Sequence, residues 1–136
     1  MINLFFFFLF LFSLQGDSLE VKDAWIRPAG AGMNSALYCK IVNESDKADT
    51  LYKVTFEDAD MVMMHESYKK GDMMGMRMVD YIVIKPHSTF ELKPGGFHIM
   101  LMMLKKDLKE NDKKEFELYF KSGIKIKEKA VVKDKF

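Results

Sequence analysis

Apolar and polar positions alternate along this chain in short runs. Glu115-Phe116-Glu117-Leu118-Tyr119-Phe120 places Phe116, Leu118 and Phe120 on one face, the period-two signature of a strand with one buried side. Comparable runs bounded by Gly, Pro, Asn or Asp predict strands over 19–27, 35–42, 50–56, 61–65, 76–84, 89–92, 98–104, 115–120 and 124–132. No segment carries a helical stripe, although 101–108 has room for a helical turn or two. Many short strands at this spacing predict an all-β sandwich. Without repeats, low-complexity tracts or linkers, a single domain is expected.

The first stretch does not fit that pattern. From Leu4 to Leu14 eleven apolar or small residues follow one another, too few for the roughly 20 a spanning helix needs and suited to the core of a secretory signal. No Lys or Arg precedes the run, and Ser13-Leu14-Gln15 and Gly16-Asp17-Ser18 both offer a small residue three before a cut. Residues 1–18 are therefore expected to be a signal peptide, with no lipid-attachment cysteine after the run. Residues 19–136 are the expected domain, an ordinary size for one core.

Composition narrows the chemistry. A formal charge of +1 gives no reason to propose nucleic acid. One cysteine permits neither an internal disulfide nor a thiolate cluster for zinc. Its place, mid-strand in Leu37-Tyr38-Cys39-Lys40-Ile41, predicts a small buried hydrophobe. Methionine is the anomaly: of twelve, seven (61, 63, 64, 73, 74, 76, 78) fall within eighteen residues and three more (100, 102, 103) follow Gly95-Gly96. Alternation sets Met61, Met63 and His65 on one face and Val62 and Met64 on the other. Most of these methionines are expected to fill irregular gaps in the core; Met73 and Met74, in a polar turn, are the ones expected to be exposed, with auxiliary metal donation as the lesser reading. His87 reads as a solvated turn residue and Trp25 as a core anchor. Asn43-Glu44-Ser45 matches a glycosylation acceptor, a motif too short to weigh. Lysines 121, 125, 127, 129, 133 and 135 suggest a charged face protecting an edge strand.

Donor chemistry concentrates at two places. In Pro94-Gly95-Gly96-Phe97-His98-Ile99-Met100-Leu101, a strand projects His98 and Met100 to the same side. An imidazole beside a thioether suits a soft ion such as Cu(I) better than a hard cation. Upstream, a hairpin reversing about Lys70-Gly71 pairs positions whose numbers sum to 141, which sets His65 opposite Met76. Directly opposed Cβ atoms lie roughly 4.5–5.5 Å apart, within reach of one shared ion.

The pattern His65, ten residues, Met76, twenty-one residues, His98, one residue, Met100 resembles the signature of the periplasmic copper chaperones called PCu(A)C. Ala24-Trp25-Ile26-Arg27, the strand ending in Asn43-Glu44-Ser45, Met64-His65 and Lys93-Pro94-Gly95-Gly96-Phe97 resemble that family too, over about residues 20 to 132. The resemblance implies a cupredoxin-like Greek-key β-sandwich and a Cu(I) site made of His65, Met76, His98 and Met100. It further implies a monomeric periplasmic carrier, not an enzyme, whose mature domain does not insert in the membrane. Its copper would pass to the Cu(A) centre in subunit II of cytochrome c oxidase, or to a thiol-bearing assembly partner. Two neutral imidazoles and two neutral thioethers favour the reduced ion, and affinity should fall below about pH 6 as imidazoles charge. An electron-transfer protein or copper enzyme, and a metal-free interaction module, are the rival classes.

Overall fold

A computed structural model describes residues 18–135; the expected signal run lies outside them but for Ser18. The described chain holds ten strands: β1 (Leu19–Ile26), β2 (Ser35–Asn43), β3 (Asp49–Phe56), β4 (Ala59–Lys70), β5 (Met73–Val79), β6 (Ile82–Ile84), β7 (Ser88–Leu92), β8 (Phe97–Leu104), β9 (Lys113–Phe120) and β10 (Lys125–Val132). The all-β, single-domain expectation holds. The strands run in the order β5-β4-β8-β2-β1-β10-β9-β3-β6, with β7 beside the second half of β2. The long sheet folds over on itself, so that β3 packs against β4 and β6 against β2.

The enclosed core is built from the positions that alternation selects. Phe116, Leu118 and Phe120 of β9 are almost fully buried, as are Leu37, Cys39 and Ile41 of β2 and Ile99 and Leu101 of β8. Burial holds the Cys39 thiol up to about 12, so it is an inert core group. Chain ends are sealed by pairing: Trp25↔Val131 and Ile26↔Val132 join β1 to β10 in parallel.

Several expectations change. The strand expected over 76–84 is two strands, because β5 pairs with β4 while β6 pairs with β3 at the far end of the sheet. The break falls at Asp80-Tyr81, where a short polar side chain favours the bend. Met73 and Met74 begin β5 and do not sit in the turn, although they are exposed as expected. The 101–108 segment continues as strand to Leu104 and forms no helix. The lysine-rich β10 is not an edge: it lies between β1 and β9. Its lysines face solvent and meet glutamates across the ladder, Lys125 with Glu117 at 2.8 Å and Lys127 with Glu115 at 3.8 Å. Such exposed pairs contribute little to stability.

One local irregularity decides which face Trp25 takes. Between Lys22 and Trp25 the β1–β2 register shifts by one residue, with Asp23 at φ 54°. This bulge reverses which side of the sheet each later residue faces. Val21 and Ile26 thus both reach the core, while Trp25 turns to the opposite, outer face to pack with Ala36 and Tyr38.

Candidate metal centre

The outer face of β2, β8 and β4 collects the donors. His65 and His98 are directly opposed in the β4–β8 ladder, their rings 5.8 Å apart and nearly perpendicular. One step along, Met63 opposes Met100, and Met100 opposes Ala36 on the other side. The small side chain of Ala36 leaves room beside the thioether. Continuing the β2–β8 register brings the Tyr38 ring to 6.4 Å from His98, and Trp25 lies 4.6 Å from Tyr38. An aromatic row, Trp25-Tyr38-His98-His65, therefore crosses four strands.

The β4–β5 hairpin differs from the expected register. Lys70 pairs with Met73 about a two-residue Gly71-Asp72 loop, Gly71 having φ 63°, a left-handed first turn residue that glycine supplies freely. Opposed positions sum to 143, so Met78 stands opposite His65 and Met76 opposite Ser67. Moving the turn centre by one residue changes the sum by two and preserves parity. Met76 thus remains on the face of His65, displaced one row along the strand. It lines a shallow hollow with His98, Met100, Ser67, Tyr38 and Arg27. Met78 borders a different groove with Met63, Val79 and Asp80.

The His98 imidazole is set up to act as a neutral donor. The nearest partner of His98 Nδ1 is the Gly96 carbonyl at 3.2 Å; a carbonyl only accepts, so Nδ1 carries the proton and Nε2 keeps a lone pair. Burial lowers the pKa of His98, and the nearby His65 and Arg27 add to that effect against the Gly96 bond. His65 Nδ1 is buried without a hydrogen-bond partner, an arrangement that folded proteins rarely leave unexplained.

The loop before β8 is shaped for this. Gly96 N–H donates to the Lys93 carbonyl at 3.0 Å and Gly95 has φ 84°, a type II turn with Pro94 and Gly95 at its centre. Gly95 is needed for its backbone angle. Gly96 is not needed for space, since an added Cβ would meet only Lys93 at 3.6 Å. Its contribution is the carbonyl, which accepts from both His98 Nδ1 and the Ser67 amide at 3.0 Å and so ties the turn to β4.

Among the described residues no three His, Cys, Asp or Glu side chains gather closely enough to hold a metal ion. Any such site on this face must add thioethers to the two imidazoles. Cys39 faces the core from β2 and is 2% exposed, so the Cys-with-two-His set of a blue copper centre is not assembled. His87 lies in a turn, hydrogen-bonded to Asp46 at 2.6 Å, as its solvated position suggested. The aromatic row and Met78 escape a strand-by-strand reading. Alternation along β2 would have put Tyr38 on the outer face, but Trp25 reaches it only through the bulge.

An all-β domain whose sheet presents paired histidines among methionines is the class that fold and site define. Residues 19–132 match the family described as "Putative lipoprotein LpqE-like", and the chain belongs to it. It is 32% identical over 121 residues to "Putative lipoprotein Lxx21020" of Leifsonia xyli subsp. xyli, covering 88% of this chain and 72% of that protein. Among solved structures it is similar to CuI-DR1885 from Deinococcus radiodurans, with 28% identity, TM-score 0.67, and coverage of 88% of this chain and 82% of that one. The fold also matches the copper-bound PCuAC domain from PmoF2, with 24% identity, TM-score 0.72, and coverage of 87% and 94%.

Proposed function

We propose that this protein is a Cu(I) carrier that holds the ion with His65, Met76, His98 and Met100. The observation that carries the reading is the directly opposed His65–His98 pair, with Met100 on the same face and Met76 bordering the hollow that His98 and Met100 line. Likeness to CuI-DR1885, whose name states the ion, supports the choice of metal. Two imidazoles and two thioethers are neutral and soft, which favours Cu(I) over Cu(II) or hard cations. A site at the surface of a sheet can exchange ligands one at a time with an incoming donor, as a carrier requires. The same position lacks the enclosed substrate pocket of an enzyme.

Within this reading the apolar N-terminal run exports the chain to the periplasm, and the recipient is the Cu(A) centre of cytochrome c oxidase or a thiol-bearing assembly partner. The cupredoxin-like Greek key belongs to the same reading.

An anaerobic competition titration tests the proposal. At pH 7 the first equivalent of Cu(I) should bind tightly, and the affinity for that equivalent should fall about tenfold or more by pH 5, because each imidazole must be neutral to ligate. The low pKa of His98 keeps that donor neutral further into acid than an ordinary histidine. Binding that is absent at pH 7, or unchanged at pH 5, would exclude the imidazole site.

The corrected hairpin register adds a sharper comparison. Met76→Leu should weaken Cu(I) binding about tenfold or more, whereas Met78→Leu should leave it nearly unchanged, since Met76 borders the hollow of His98 and Met100 and Met78 does not. The opposite ranking in the same titration would assign the fourth donor to Met78.

A further inference from the structure

The four proposed ligands leave most of the outer-face methionines unused. Met61 opposes Met102 directly, in the row next to Met63↔Met100. Packing does not explain them, because Val62, Met64 and Leu101 are the residues of these stretches that turn to the core. Met61 is 48% exposed, and Met63 and Met102 are only partly buried. Directly opposed side chains have Cβ atoms roughly 4.5–5.5 Å apart and diagonal ones about 7–8 Å. Methionine has three rotatable bonds and a polarizable sulfur, so Met61, Met63 and Met102 can bring three sulfurs to one point above the sheet.

We infer that Met61, Met63 and Met102 form a second binding site, made only of thioethers, for a soft monovalent cation of the Cu(I) or Ag(I) class. Three neutral sulfur donors offer nothing to a hard divalent ion and need no proton released to bind. The site begins one row from the His65–His98 pair on the same two strands, roughly 7 Å away at the rise of a strand. A second ion is held there more weakly than one bound by imidazoles, and independently of pH in the range where histidine titrates. The inference extends the carrier reading to the same class of ion, but it stands on different side chains.

Ag(I) is the probe, being soft and inert to redox change, added to the full chain labelled with 13C at the methionine methyl groups. The first equivalent should shift the methyl signals of Met76 and Met100, and the second those of Met61, Met63 and Met102 together. A Met61→Leu, Met102→Leu variant, nearly isosteric and altered only on the outer face, should lose the second equivalent and keep the first. Saturation at one equivalent with these three methyls unmoved would overturn the second site, as would a second equivalent surviving in the variant. Shifts at Met61, Met63 and Met102 without any at Met76 and Met100 would uphold this site while removing the one proposed above.

Discussion

A Met76→Ala, Met100→Ala double variant is expected to lose about 10³-fold or more in Cu(I) affinity, which is about 4 kcal/mol. Loss of a single outer-shell partner of a metal ligand typically costs 10–100-fold, so removing two of the four proposed ligands sets a larger loss. The remaining His65 and His98 would hold the ion through two nitrogens, without the sulfur donors that discriminate for Cu(I). The loss should not come from unfolding. Met76 is 56% exposed, and Met100 lies on the outer face, away from the core against which Ile99 and Leu101 pack. Competition against a Cu(I) chelator measures the affinity, and a thermal melt of both apoproteins checks the fold. Equal affinity in the two would show that the thioethers are packing and nothing more.

Phe116→Ala should produce the largest change in stability, on the order of 3–5 kcal/mol, the usual cost of emptying a buried aromatic site. The side chain is 1% exposed, opposite Phe56 in the β3–β9 ladder and opposite Glu128 of β10. It therefore sits where the far half of the sheet meets its core. A domain of this size is stable by only about 5–15 kcal/mol, so the variant should unfold at a much lower urea concentration. Tyr119→Ala, on the solvent side of the same strand between Lys53 and Lys125, should shift the midpoint far less. Similar shifts for both would contradict the assignment of the core face of β9.

How much of this could be read from residues alone depends on how local the cause is. The alternation in β9 and β8 is local, and it places Phe116, Leu118, Phe120, His98 and Met100 on their observed faces. Lysines spaced through β10 look like an edge because the glutamates that meet them belong to β9, and only the ladder brings Glu115 and Glu117 alongside. The hairpin register hinged on a single choice of turn centre: the left-handed Gly71 heads a Gly71-Asp72 loop, and Met78 takes the place expected for Met76. Parity survived that displacement, which is why Met76 remained on the His65 face. The face of Trp25 was beyond periodic reasoning because a one-residue bulge at Asp23 interrupts the period. His65 and His98 are thirty-three residues apart in the chain, and their direct opposition comes from β8 lying between β4 and β2, a topology no local pattern encodes.

The parallel seam between β1 and β10 has a consequence in time. Trp25 has Tyr38 on one side, but its neighbour on the other is Val131, so the first strand waits beside β2 until the last one arrives. Closing so long a loop is slow, and until it closes the hydrogen-bonded ladder between β1 and β10 is missing. An incompletely synthesised chain cannot reach its finished form early.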